Sequence, residues 1–122
     1  MLKFFKSPAI RRVVQNEMKK SGAIWRSIGL SFEEWAIKHL FRGGNTQIRT
    51  GRHIADVLWR GWLIEIKTTR HLSGGQLSQL REFAAHAKEF EAKLVYLFLE
   101  APDPITAERI RQAGGRIFHI FP

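Results

Sequence analysis

The segment 56–67, which reads D-V-L-W-R-G-W-L-I-E-I-K, constrains the fold of this 122-residue chain more than any other feature. Two apolar runs flank Arg60-Gly61, and a glycine at a tight connection between two such runs signals a β-hairpin. A connection centred on these two residues pairs positions whose numbers sum to 121, so that Leu58 faces Leu63. The segment therefore predicts two antiparallel strands in a fixed register.

The same register places two carboxylates opposite each other. Asp56 faces Glu65, and Lys67 lies on the same face because side chains alternate along a strand. Directly opposed carboxylates repel each other and destabilise a hairpin, so a neutralising group such as a divalent cation is expected beside them. The alternative interpretation is a surface ion pair between Glu65 and Lys67, with Asp56 incidental.

These three side chains are the parts that hydrolysis of a phosphodiester requires. Mg²⁺ is usually bound by one or two carboxylates, while water and substrate phosphate complete its shell. The bound metal polarises the phosphate and lowers the pKa of a water molecule, and an adjacent lysine can stabilise the developing negative charge. The sequence therefore predicts a metal-dependent nuclease site, in which the backbone carbonyl of Ile66 is a further metal ligand.

The opposite face of the hairpin is uniformly apolar and is predicted to lie in the core. It consists of Ala55, Val57, Trp59, Trp62, Ile64 and Ile66. The predicted sheet thus has one fully apolar face, and one face that is apolar except for the charged residues.

Hydrophobic periodicity and turn residues predict the remaining elements. A basic helical arm is predicted over residues 1–28, and Ser31 with Glu34 has the capping-box spacing that begins the helix before the sheet. The other predicted elements are a strand over 46–49, a helix over 76–89, a strand over 94–99 covered on both faces, a helix over 105–113 and a strand over 116–121. The order α-α-β-β-β-α-β-α-β predicts an α/β domain over 29–122, with a mixed sheet and helices on both faces.

Composition narrows the partners of the chain. The absence of cysteine excludes disulfides, thiolate metal sites and cysteine nucleophiles. The net charge is +9, of which residues 1–50 carry +7, and this favours a polyanion such as nucleic acid over a role in solubility alone. The apolar runs are too short for a membrane span or a signal peptide, so we expect any export to need a larger precursor.

The spacing of the hairpin carboxylates carries a family resemblance. The pattern of an aspartate, Asp56, followed after eight residues by E-I-K at 65–67 resembles the motif of the PD-(D/E)XK, or restriction-endonuclease-like, nuclease superfamily. The resemblance covers residues 29–99, and one departure is that Ala55 rather than proline precedes the aspartate. It implies a restriction-endonuclease-like core and a site for Mg²⁺, with Mn²⁺ or Zn²⁺ as alternatives.

The resemblance also implies two site residues outside the hairpin. The family's G-x-x-x-E-x-x-A helix matches residues 29–36 and places Glu33 at the metal, through a water molecule. A glutamine followed by leucine begins the family's next helix, and both Gln76 and Gln79 fit, with Gln79 preferred for the residues that follow it. The implied catalytic set is Glu33, Asp56, Glu65, Lys67 and Gln79, of which Asp56, Glu65 and the Ile66 carbonyl are direct metal ligands.

Basic and polar residues around the hairpin are candidates for nucleic-acid contacts. Arg49, Arg52 and His53 precede its first strand, and Arg70 follows its second. Gln76, near the next helix, is a further candidate. Plain solvation of the loops is the alternative for the basic residues.

The small domain, its basic arm and the G-R-H-I-A-D sequence at 51–56 are similar to C-terminal toxin modules of bacterial polymorphic and contact-dependent inhibition systems. This similarity implies a DNase toxin that acts in the cytoplasm of a target bacterial cell and is neutralised by an immunity protein covering the basic cleft. The alternatives are a homodimeric Holliday-junction resolvase-like or repair endonuclease, a tRNA-cleaving toxin of the same fold, and a non-catalytic nucleic-acid binding module.

Overall fold

The computed structural model describes the backbone of residues 25–122 and the side chains from residue 32 onward. In chain order the elements are α1 (Trp25–His39), β1 (Asn45–Arg49), β2 (Ile54–Trp59), β3 (Trp62–Lys67), α2 (Gly74–Glu89), β4 (Lys93–Glu100), α3 (Pro104–Gln112) and β5 (Arg116–Phe121). Residues 1–24, which make up most of the predicted basic arm, lie outside the described part of the chain. None of the helices in the described part is long and apolar enough to cross a membrane.

The helix before the sheet begins earlier than its predicted cap. α1 runs through Ser31 and Glu34 without a break, so the capping box predicted for these residues is wrong. Apolar residues at positions 25, 28, 32 and 35 keep the helical spacing across Gly29. A single interior glycine costs a helix only about 1 kcal/mol relative to alanine, which does not end it.

The five strands form one mixed sheet in the order β1-β2-β3-β4-β5. β1, β2 and β3 are antiparallel neighbours, whereas β3, β4 and β5 are parallel neighbours. α2 and α3 make the two connections between parallel strands, which a hairpin cannot make. The predicted α/β class with a mixed sheet is confirmed.

The hairpin of β2 and β3 has the predicted register. Leu58 pairs with Leu63, and Trp59 pairs with Trp62. Arg60 and Gly61 connect the strands with φ angles of 49° and 79°, as a two-residue type I′ turn requires. The left-handed conformation costs a residue with a side chain about 1–2 kcal/mol.

Two hydrophobic clusters lie on the two faces of the sheet. The first contains α1 residues such as Phe32 and Trp35, and the second contains α2 and α3 residues such as Phe83 and Ile110. β4 contributes alternately to both and is buried from Leu94 to Leu99, so the predicted coverage of this strand on both faces is confirmed. The molecule is therefore a three-layer α/β/α arrangement.

One predicted core position lies on the other face. Val57 packs in the first cluster as predicted, but Ala55 packs in the second. On the neighbouring strand β1, Gln47 lies between the residues that pair with Ala55 and Val57, and it has a φ of 56°. Simple alternation of side chains therefore fails at the start of β2.

Candidate active site

The carboxylate of Asp56 lies between β2 and β3. Its Oδ2 atom accepts a hydrogen bond of 2.7 Å from the backbone N–H of Ile66. The backbone pairing of the two strands extends from Trp59–Trp62 to Val57–Ile64, and the next link across the hairpin is this side-chain bond. The carboxylate thus contacts the segment of β3 that carries the E-I-K motif.

Glu65 and Lys67 form a buried ion pair. The Lys67 Nζ atom lies 3.3 Å from Glu65 Oε2, and the two side chains are 13% and 6% exposed respectively. Nζ also donates to Oε1 of Gln79, on α2, at 3.5 Å. The lysine is therefore held between a strand carboxylate and a helix amide, and the pair does not lie on the surface.

Glu33, on α1, joins this cluster from the other side of the sheet. The pKa of Glu33 is raised to about 7. Burial is the largest cause, and the negative charge of Asp56 and a hydrogen bond with Asp56 are the next two. Burial raises the pKa of Asp56 to about 8, with the hydrogen-bonding contact and negative charge of Glu65 as the next causes. Without a cation, these raised pKa values keep Glu33 and Asp56 from both being fully ionised at neutral pH.

The site has the donor set of a hard divalent cation. Oε1 of Glu65 is buried and has no hydrogen-bond partner among the described residues. A cation beside it would satisfy this atom and would replace the proton that the Asp56–Glu33 pair otherwise retains. In the described part of the chain no group of three His, Cys, Asp or Glu side chains forms a ready-made metal cage. Mg²⁺ does not need one, because it usually keeps several waters and takes substrate phosphate as a ligand.

The four basic residues predicted to contact nucleic acid lie on the segments that flank the hairpin. Arg49 and Arg52 are exposed on β1 and on the loop that follows it. The exposed Arg70 donates through Nε to the carbonyl of Ala101, at 2.7 Å. His53 is only partly exposed, because its ring lies 2.8 Å from a carboxylate oxygen of Glu82.

Gln76 and Gln79, the two glutamines that fit the family pattern, have different roles. Gln76 accepts a hydrogen bond of 3.1 Å from the backbone N–H of Ser73, so its side chain caps the start of α2. Gln79 lies one turn further along and contacts Lys67. The cap explains the position of Gln76 without nucleic acid, whereas Gln79 belongs to the carboxylate cluster.

Sequence reasoning missed two residues next to the site. Tyr96 pairs in register with Glu65, and its buried hydroxyl has no hydrogen-bond partner within the described part of the chain. Burial raises the pKa of this tyrosine further above its usual value, and the charges of Glu65 and Asp56 add to the effect. The sequence does contain a signal for Tyr96, because its hydroxyl is the one polar side-chain group in the apolar run L-V-Y-L-F-L. The second missed residue, Glu82, had no signal in the sequence pattern.

Comparison of the chain with protein-family models, with curated proteins and with solved structures found no match. The resemblance of the hairpin motif to a nuclease superfamily therefore stays a prediction. What the site can do follows from the chemistry of its own residues.

Proposed function

We propose that the chain is a metal-dependent endonuclease that hydrolyses phosphodiester bonds, with DNA as the favoured substrate. The buried Glu65–Lys67 pair beside Asp56 is the observation that carries this proposal. Taking charges out of water costs several kcal/mol per ion, and apolar side chains of similar size often stabilise a fold equally well. A carboxylate oxygen of Glu65 without a partner in the described part of the chain adds to that cost, so stability alone explains the cluster poorly.

Each side chain of the cluster has a chemical role in this proposal. Asp56, Glu65 and the carbonyl of Ile66 would hold Mg²⁺, with Glu33 acting through water. The bound ion supplies Lewis acidity toward the phosphate and lowers the pKa of a water molecule. Lys67 orients that water or stabilises the negative charge that develops on the phosphate. Gln79 holds the lysine ammonium in place from α2.

The order of the elements from α1 to β4 agrees with the order expected for a restriction-endonuclease-like core. This agreement supports the assignment of that core, which is part of the proposal. The net charge of +9 supports a polyanionic substrate, because a basic surface raises both the affinity and the association rate for nucleic acid.

We further propose that the enzyme is a bacterial toxin domain that acts on the nucleic acid of a target cell and is neutralised by an immunity protein. Support for this role comes from the sequence similarity at 51–56 and from the basic charge. Expression in a bacterial host tests it, because a toxin should arrest growth unless its immunity protein is co-expressed. A stable dimer in solution with selective cleavage of four-way junctions would instead indicate a resolvase, and cleavage of tRNA alone would indicate an RNase toxin.

The decisive experiment is a cleavage assay with plasmid DNA and total tRNA, in the presence of Mg²⁺, Mn²⁺, Zn²⁺ or EDTA. We expect cleavage of DNA with a divalent metal and none with EDTA. Asp56→Asn, Glu65→Gln and Lys67→Met should each reduce the rate by at least about 10²-fold, as expected for groups that act on the reacting phosphate. Gln79→Ala should lower the cleavage rate by a smaller factor, about tenfold, because the glutamine acts through the lysine.

Matched controls come from charged residues far from the cluster. Glu89 and Lys93 are both exposed, and Lys93 lies beside Trp62, at the opposite end of β3 from Lys67. Glu89→Gln and Lys93→Met should leave the cleavage rate unchanged. If neither nucleic acid is cut with any of the metals, or if Lys67→Met is as active as Lys93→Met, the proposed function is wrong.

A further inference from the structure

The loop between β1 and β2, residues 50–53, leads into the strand that carries Asp56. It is a tight turn, in which the N–H of Thr50 donates to the carbonyl of His53 at 2.9 Å and its hydroxyl adds a second bond of 3.3 Å. β2 starts directly after this loop and reaches Asp56 at its third residue. Because β2 and β3 are antiparallel, the start of β2 lies at the same end of the sheet as Lys67.

A single carboxylate on α2 holds this loop. Oε1 of Glu82 accepts hydrogen bonds from the backbone N–H groups of Arg52 and His53, and Oε2 lies 2.8 Å from Nδ1 of the His53 ring. Hydrogen bonds to an ionised group are stronger than those between neutral groups. Burial raises the pKa of Glu82, but its hydrogen bonds with His53 and Arg52 outweigh this effect, so the pKa is lowered overall. The carboxylate is therefore ionised at neutral pH and orders the loop.

Gly51 permits the close approach of the carboxylate. Its φ of 105° is a conformation that residues with side chains rarely adopt, and a Cβ atom there would lie 2.5 Å from Oε1 of Glu82. A larger residue would strain the backbone and displace the carboxylate. The loop sequence and the helix residue are thus matched to each other.

α2 links this loop to the catalytic lysine. Gln79 and Glu82 are three residues apart and lie on the same face of the helix. The first contacts Lys67, and the second contacts the loop. Arg52 is exposed at the tip of the loop, and its guanidinium makes no hydrogen bond or ion pair with any residue that the structure describes. The helix therefore fixes the backbone that carries Arg52, whose side chain has no partner among the described residues.

We propose that Glu82 is a positioning residue, which fixes the 50–53 loop so that Arg52 binds a phosphate of the nucleic acid next to the cleaved bond. The inference rests on the proposed function for the identity of the ligand. A loop that is held in place before binding loses less conformational entropy when the complex forms. Arg52 supplies the charge, and Glu82 acts only through the geometry of the loop.

The sign of one mutational effect separates positioning from simple charge. Glu82→Gln removes a negative charge from a protein that binds a polyanion, so charge alone would strengthen binding. We expect it instead to weaken binding about three- to tenfold, as a loss of loop order would. Glu89→Gln removes the same charge from an exposed position on the same helix, and it should leave affinity unchanged or slightly higher.

Fluorescence anisotropy with a short labelled DNA duplex in EDTA measures binding without cleavage. Over a series of salt concentrations, the plot of the logarithm of the association constant against log salt has a negative slope. Arg52→Ala should reduce the magnitude of this slope by about 0.9, the value for one lost phosphate contact. The double variant Glu82→Gln/Arg52→Ala should bind no more weakly than Arg52→Ala, because the carboxylate acts through the arginine. A role in stability alone would give additive losses. Gly51→Ala, which disturbs the same contact from the loop, should weaken binding as Glu82→Gln does.

The possible outcomes distinguish this inference from the proposed function. Metal-dependent cleavage by the wild type, with unchanged or tighter binding by Glu82→Gln, overturns the inference and leaves the nuclease proposal standing. Binding without cleavage overturns the nuclease proposal, while the salt slope of Arg52→Ala and the double variant still decide the role of Glu82. If the wild type neither cleaves nucleic acid with any metal nor binds the DNA duplex, both are wrong.

Discussion

Raising the pH in the absence of metal should destabilise the protein, because Asp56 must give up a proton inside the carboxylate cluster. The unfolded chain has the ordinary pKa of 3.8 at this residue, whereas burial and Glu65 raise the pKa in the folded state to about 8. Between these two values the folded state holds a proton that the unfolded state has released. The free energy of unfolding therefore falls as pH rises from about 4 to about 8, and the effect ends above the folded pKa.

The magnitude follows from the number of protons involved. One proton corresponds to a slope of about 1.4 kcal/mol per pH unit, so the loss between pH 5 and pH 7 is about 2–3 kcal/mol. Glu33, whose pKa is raised to about 7 by burial and by Asp56, contacts the same carboxyl, and we count a single proton for the pair. For a domain of about 100 residues the corresponding fall in Tm is roughly 10–20 °C.

Thermal unfolding followed by circular dichroism, in EDTA and in Mg²⁺, measures this effect. Because a cation binds the ionised carboxylates, the ion should raise Tm at pH 8 much more than at pH 5. A concentration one hundred times the dissociation constant would add about 2.7 kcal/mol, which is comparable to the loss.

Asp56→Asn is the control variant for this experiment. Its side-chain carbonyl can still accept the hydrogen bond from Ile66, but it has no proton to release. We expect the variant to lose most of the pH dependence between pH 5 and pH 8 and to lose the stabilisation by Mg²⁺. A wild type whose Tm in EDTA is the same at pH 5 and pH 8, or a variant with the full pH dependence, would refute the reasoning.

Two further predictions concern single positions beside the site and in the core. Tyr96→Phe removes a buried hydroxyl without a partner in the described part of the chain, so metal-free protein should gain about 1 kcal/mol in urea unfolding; a loss of that size would show that the hydroxyl has a partner such as ordered water. Gly44→Ala places a Cβ atom 2.6 Å from a methyl group of Val57, and should cost about 1–3 kcal/mol. Gly75→Ala, where a Cβ atom meets nothing within 4 Å in the first turn of α2, is the matched control and should be neutral or slightly stabilising.

The parts of the fold that could be predicted are those specified by local sequence. The register of β2 and β3 depends on the two-residue connection at Arg60-Gly61 and on the alternation that follows it, and both are visible in the chain. The burial of β4 on both faces follows from its uninterrupted apolar run. The cap at Ser31 was wrong because its spacing is a weak local signal, and the apolar periodicity of the longer helix overrides it.

The prediction that Ala55 shares a face with Val57 was wrong for a different reason, and this error concerns the strand that carries Asp56. A pattern of period two predicts the same face for Ala55 and Val57, but the two residues pack in clusters on opposite faces of the sheet. Asp56 lies between these two residues, and its carboxylate bonds to the backbone of β3 instead of only facing Glu65 across the hairpin.

The contacts that complete the site connect residues far apart in sequence. Glu82 is 30 residues from Arg52, and no periodicity or motif spacing in the chain relates the two. Gly51 is a partial signal of this contact, because a glycine in a loop indicates either a turn or a close approach by another group. At Gly51 the approaching group is the Glu82 carboxylate on α2. The sequence does not show this contact, because it forms only when α2 packs against the sheet. The charged residues of the hairpin therefore indicate the chemistry, whereas the geometry with which the site meets a substrate is set by tertiary contacts from α1 and α2.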